Sequence, residues 1–324
     1  MNEPAPAEVQ WFADRFDRIA SNIERVIQGK RESVEQVLLC LVAEGHVLIE
    51  DVPGVGKTLL AKSLARSIGC DFNRVQFTPD LLPSDITGVS IWDRQQSEFV
   101  FKPGAIFANI VVGDEINRAS PKTQAALLEA MEERQVTVDG STRPLSPPFM
   151  VVATQNPIEH EGTYPLPEAQ LDRFMMRVGI GYPSRDKELE MLETHGLRSS
   201  FELLEETVSA KELLEMIDIA RHVHVAGSVR SYIVDVVDGT RRHPEVMLGA
   251  SPRTSLYLLR AARAKAAAEG REYVTPDDVK SLAGPVIEHR LAFRPEAQMR
   301  GVTADEVIEG VLGTTRVPMG RAES

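Results

Sequence analysis

The residues best suited to chemistry lie where apolar runs stop. Val47-Leu48-Ile49 gives way to Glu50-Asp51-Val52-Pro53-Gly54-Val55-Gly56-Lys57-Thr58-Leu59. Further on, Ile110-Val111-Val112-Gly113 ends in Asp114-Glu115, and Val151-Val152-Ala153 ends in Thr154-Gln155-Asn156. Together these suit the handling of phosphate. Glycines at 54 and 56 keep side chains away, so that the loop Pro53–Leu59 can wrap an anion with its backbone N–H groups from Gly54 onward. A helix starting near Leu59 aims its positive end at the same point. Lys57 is then placed to reach outer phosphates, and the Thr58 hydroxyl to bind Mg²⁺. Asp114 can hold that ion through its water shell, and Glu115 can accept the proton of an attacking water. The neutral amide of Asn156 can orient that water.

Plainer readings exist for each. A strand-to-helix turn can contain a lysine, acids often end strands as caps, and asparagine before Pro157 suits a turn. The strict G-x-x-x-x-G-K-[ST] spacing also asks for glycine where this chain has Asp51. The unbroken P-G-V-G-K-T core in a strand–loop–helix setting favours phosphate.

Elements that position these residues follow from apolar runs. Buried parallel strands are expected at 47–49, 74–77, 110–112, 150–153 and 177–180, with helical patterns at 59–68 and 121–132. This alternation predicts an α/β fold with its ligand at the carboxyl ends of the strands. Two stretches interrupt it. Residues 80–104 hold short segments at 89–92 and 98–101, and 135–148 reads as a hairpin turning at Asp139-Gly140. Past Tyr182-Pro183-Ser184 no strand is expected. Ser209-x-x-Glu212 and Thr303-x-x-Glu306 fit capping boxes, while Ser251-Pro252 and Thr275-Pro276 put proline at the first helical position. An α/β domain at 1–185 and a smaller all-α domain at 186–324 are the expected division.

Composition narrows the class. The 324 residues are 43% apolar and 26% charged, ordinary for a soluble globular protein. The N-terminus has neither the basic start nor the apolar run of a signal peptide, and no stretch is long enough for a membrane span. Cys40 and Cys70 give no disulfide or metal framework, so a cytoplasmic protein with reduced thiols is expected. A net charge of −12 disfavours nucleic acid as a general partner, although a local basic strip is compatible with it.

The run G-D-E-I-N-R-A-S at 113–120 appears with P-G-V-G-K-T, A-T-Q-N-P at 153–157, L-D-R-F at 171–174 and G-A-S-P-R at 249–253. Across nearly the whole chain this set resembles the MoxR family of AAA+ ATPases. The resemblance implies an αβα P-loop sandwich with a parallel five-stranded sheet in the order 5-1-4-3-2, a helical lid, and a ring, commonly a hexamer. It matches Lys57 and Thr58 to Walker A, Asp114 and Glu115 to Walker B, Asn156 to sensor 1 and Arg253 to sensor 2. Arg173 matches the arginine finger, which in the family acts on a neighbour's ATP. The two interruptions match the helix-2 insert and the pre-sensor-1 hairpin, and Val26-Ile27 matches an adenine-side segment making apolar contact. On the residues themselves, Arg253 beside Pro252 could turn guanidinium and helix dipole toward one phosphate. Arg173 beside Asp172 also reads as a surface ion pair, Arg177 competes for the finger role, and Val26 and Ile27 also suit plain core packing.

The resemblance thus implies ATP hydrolysis with Mg²⁺ and a homo-oligomeric ring that remodels or matures a client protein. A partner with a von Willebrand factor A (VWA) domain is implied as well. The alternatives are a nucleotide-dependent scaffold and the motor subunit of a magnesium-chelatase-like complex.

Overall fold

The computed structural model describes residues 3–156, 163–189 and 200–318. Five strands build the central sheet: β1 Val47–Glu50, β2 Phe72–Gln76, β3 Ile110–Asp114, β4 Met150–Gln155 and β5 Met176–Val178. They pair in parallel across the sheet as β2, β3, β4, β1 and β5, which from the other edge is the expected 5-1-4-3-2. Apolar side chains on both faces explain the unbroken runs. Val47, Ile49, Val112 and Val152 enter one core, and Leu48, Val111, Val151 and Ala153 enter the other.

Helix α1, Pro6–Glu24, and helix α2, Arg31–Val42, precede β1 and were not anticipated. The buried Val9, Phe12, Phe16, Ile19 and Ile23 of α1 recur at helical spacing. Helix α3, Lys57–Ser67, leaves the glycine loop, and α4, Pro121–Glu133, follows β3. The first interruption folds as a short helix, Pro83–Thr87, and an antiparallel hairpin of Val89–Asp93 with Glu98–Lys102. The second pairs Gln135–Val138 with Ser141–Pro144. Its turn residues, Asp139 and Gly140, both have positive φ (51° and 75°), as a two-residue primed turn requires.

Helices dominate the C-terminal part: α5 Ala210–His222, α6 Gly227–Arg242, α7 Pro252–Ala268, α8 Pro276–Ile287 and α9 Ala304–Thr314. Reciprocal capping boxes start α5, α8 and α9 at Ser209, Thr275 and Thr303. Helix α1 packs on α7, so the lid and the first core are continuous. Two expectations need correction. Val246–Leu248 and Ala292–Phe293 form a small antiparallel ladder where no strand was foreseen, because two or three residues cannot display a period of two. Strand β5 ends at Val178 rather than 180, since the amides of Ile180 and Gly181 are turned to the Asp51 carboxylate instead.

Candidate active site

Gly54 and Gly56 hold left-handed backbone, with φ of 85° and 93°, between β1 and α3. A Cβ on Gly54 would meet nothing within 4 Å, so the requirement there is conformational. A Cβ on Gly56 would lie 3.6 Å from Ile27 Cδ1. Ile27 therefore backs the loop, and both it and Val26 are buried in the first core. Val55 and Leu59 are half-buried against that core, while Pro53 leads into the exposed turn.

Asp51 explains the departure from the strict glycine pattern. Its carboxylate accepts from the backbone N–H groups of Val52 (2.8 Å), Ile180 (2.7 Å) and Gly181 (2.5 Å). Burial alone would raise its pKa, but these three bonds and nearby Lys57 outweigh that and hold the carboxyl below its ordinary value. The loop is thereby fastened to the chain leaving β5. Lys57 Nζ donates to the carbonyls of Asp51, Val52 and Gln155, at the carboxyl ends of β1 and β4.

Thr58 Oγ1 donates to Asp114 Oδ2 at 2.9 Å, and the buried Thr154 hydroxyl donates to Asp114 Oδ1 at 3.1 Å. Arg74, from β2, pairs with the same carboxylate. Hydroxyl and carboxylate oxygens together form a hard donor set that suits Mg²⁺. Glu115 sits in left-handed backbone (φ 56°), uncommon for a residue with a side chain, and its N–H donates to Thr154 Oγ1 at 3.0 Å. Its carboxylate accepts from Gln76 Nε2 and from Arg118, both at 2.9 Å. Asn156 is buried just past β4, and the strand order puts it between the glycine loop after β1 and Glu115 after β3. Pro157 lies outside the described residues. Lys57, Thr58, Asp114, Glu115 and Asn156 therefore converge at the carboxyl ends of the strands.

Arg173 and Arg253 do not join them. Arg173 precedes β5, where Met175 N–H donates to the carbonyl of His46, the residue before β1. That is the amino end of the sheet, separated from the glycine loop by the length of β1, on the order of 10 Å. Both arginines bind Glu132 at the end of α4: Arg173 Nε at 2.8 Å from Oε2, and Arg253 through a terminal nitrogen to Oε1. The expectation that Arg253 faces the chain's own phosphate is corrected. The Ser251 hydroxyl is spent on Asp172, and buried Arg290 binds Asp172 as well, so the start of α7 is tied beside L-D-R-F. Arg173 accordingly does not pair with its sequence neighbour Asp172. Arg177 is held between Glu50 (2.9 Å) and Glu288 (2.5 Å), fixing the sheet to the lid.

Comparison with known proteins decides the family. A profile of the ATPase family associated with various cellular activities (AAA) matches residues 46–176, and an AAA lid domain profile matches residues 238–311. The chain is 42% identical to the chaperone MoxR1 of Mycobacterium tuberculosis, over 95% of this chain and 83% of that one. The chain belongs to the MoxR family of AAA+ ATPases. It is also 50% identical to the uncharacterized protein YeaC of Bacillus subtilis, covering 94% of this chain and 95% of YeaC. The crystal structure of an ATPase candidate from Cytophaga hutchinsonii superposes with a TM-score of 0.90 at 36% identity, covering 97% and 98% of the two chains. Among the described residues of this MoxR-family chain, no helix is long and apolar enough to cross a membrane.

Sequence reading missed the residues that orient the MoxR acids: Arg74, Gln76, Arg118 and Thr154. For Arg74 and Gln76 the signal was the polar alternation at the end of β2, where Gln76 faces Asp114 in register. It becomes readable only once β2 and β3 are known to be neighbours.

Proposed function

We propose that this MoxR-type ATPase works with Mg²⁺ as a cytoplasmic homo-oligomeric ring, most simply a hexamer, that uses ATP turnover to remodel client proteins. The observation that carries this reading is the placement of two arginines together at the end of the sheet opposite Lys57 and Thr58. A guanidinium pair there is out of reach of the chain's own nucleotide, which supports its acting on the nucleotide of a second copy. Lys57 and the loop amides would bind the phosphates, Glu115 would accept the proton of the attacking water, and Asn156 would orient that water. Thr58 and Asp114 are the oxygens that would hold the magnesium ion, which supplies charge neutralisation when bound. Gln76 and Arg118 keep the Glu115 carboxylate aimed, and Arg173 with Arg253 would stabilise charge on the transferring phosphoryl group from across the interface. Residues 1–185 would form the nucleotide-binding domain and 186–324 the lid. The name of MoxR1 as a chaperone supports client remodelling, and a VWA-domain partner is the corresponding family expectation.

Mixing two inactive variants tests the shared site. Arg173→Ala removes a charge worth about 10³–10⁵ in rate, and Glu115→Gln removes the base. Each should bind ATP and turn it over poorly. In mixed rings, an intact Glu115 site meets an intact Arg173 at some interfaces, so part of the activity should return. Mixed rings seen by native mass spectrometry that remain as inactive as their components would overturn the reading.

A further inference from the structure

We propose that Glu132 is the positioning residue for both arginines, and that its single carboxylate presents Arg173 and Arg253 to the neighbouring subunit as one unit. This rests on the reading that these arginines act on a second copy. Each Glu132 oxygen takes one guanidinium. A guanidinium carries five N–H donors and spends one here, so most of each fork stays free for phosphate oxygens. Two cations at such short range repel, and Arg134 and Arg260 line the same cavity of about 210 Å³. Glu44, the other acid there, is already bonded to Arg134 and Arg221. Among the described residues, Glu132 is thus the one carboxylate bonded to either Arg173 or Arg253.

Local helix physics would not choose this residue. Glu132 lies in the last turn of α4, next to Glu133 and with no basic residue in that turn, where the helix dipole disfavours carboxylates. The arginines reverse that preference. The hydrogen bond from Arg173 is the largest influence holding the Glu132 carboxyl below its usual range, against some burial, and Arg253 adds to it.

The same helix reaches back toward the other half-site. Gln124 Nε2 donates to the carbonyl of Ile116, the residue after Glu115, at 3.1 Å. From Gln124 the helix then rises about 12 Å over eight residues to Glu132. One rigid element therefore joins the turn that carries the proton acceptor to the residue that holds the arginines for the next subunit.

Glu132→Gln tests this with few atoms changed. An amide offers one acceptor oxygen and turns N–H donors toward the second guanidinium, so it can hold one arginine at most. The assembled variant should bind ATP with unchanged Kd and lose about 10²-fold in kcat, the cost of misplaced groups, with KM little altered. Glu132→Asp keeps both oxygens on a shorter arm and should recover part of that loss; it also serves if the glutamine variant folds poorly. Mixed with Glu115→Gln, the Glu132→Gln protein should regain activity as Arg173→Ala does. A wild-type kcat overturns the proposal. So does a slow Glu132→Gln enzyme that Glu115→Gln fails to complement while it does complement Arg173→Ala, because the defect would then lie in the chain's own site. If Glu115→Gln complements neither, the reading of arginines shared between subunits has failed, and the role of Glu132 falls with it.

Discussion

Replacing Asp51 with glycine would bring this loop to the strict phosphate-binding pattern, yet the structure predicts a weaker protein. The carboxylate satisfies three backbone N–H groups, and two of them, at Ile180 and Gly181, belong to a segment remote in sequence. Losing the acceptor for the amide of buried Ile180 should cost about 1–3 kcal/mol. Water can reach Gly181 and the half-buried Val52, so their losses are smaller, about 0.5 kcal/mol each. Glycine adds a further 0.5–1 kcal/mol or so in backbone freedom. The total is about 2.5–5 kcal/mol, or roughly 4–7 °C in Tm for a protein of 324 residues. Because the loop would no longer be held in its binding shape, ATP affinity should fall as well. Circular dichroism melts without nucleotide, and titrations with a fluorescent ATP analogue, measure the two effects. Asp51→Asn keeps one acceptor oxygen and should lie between the two proteins. A glycine variant that melts within about 2 °C of wild type and binds ATP as tightly would refute the anchoring role.

Lys57→Ala should lose ATP affinity, whereas Glu115→Gln should keep affinity and lose turnover; equal loss of binding in both would show that Glu115 is not the proton acceptor. His46 is buried, with Nδ1 accepting from Val151 N–H and Nε2 donating to the Met131 carbonyl. Burial is the main cause that pushes its pKa from 6.5 down to about 4, and Arg134 acts in the same direction. The fold thus prefers the neutral ring, so this stability is complete above pH 6.5 and is lost as pH falls toward 4, by about 2 kcal/mol at pH 5. Buried His289, beside Arg290, adds to the same trend. Urea midpoints that stay level from pH 7.5 to 5, or that change as much in His46→Gln as in wild type, would contradict this account. Arg177→Ala should strand Glu50 and Glu288 and destabilise the protein by about 1–3 kcal/mol, and Glu115→Gln should not complement it. Complementation would make Arg177 the arginine that acts across the interface.

Most of the sheet was legible because its strands are buried on both faces. Apolar runs such as Ile110-Val111-Val112 have no polar alternation to confuse with a helix, and turn signals bound them. Helices α5, α7, α8 and α9 were legible at their starts, where capping boxes and prolines act locally, and α6 only by its apolar spacing. The ladder of Val246–Leu248 with Ala292–Phe293 was not, because so short a strand is made by its partner and not by its own sequence. Helices α1 and α2 carried a readable apolar spacing, but no chemistry on them drew attention to it.

The candidate site divides along the same line. Lys57, Thr58, Asp114 and Glu115 sit where motif and local structure coincide, so residue type and spacing suffice to bring them together. Gln76, Arg74 and Thr154 require strand register, which a local pattern does not supply. Arg253 is the instructive case. Its position after Ser251-Pro252 correctly announces a helix start, and a helix start does attract anions. Which anion it meets depends on where that helix docks, and this is decided by Asp172, through Ser251 and the buried Arg290, far away in sequence. Those contacts carry Arg253 to the amino end of the sheet and leave it beside Arg173 on Glu132. The guanidinium expected at the chain's own nucleotide site is thereby held away from the glycine loop, and a residue identified from local sequence acquires its partner from tertiary structure alone.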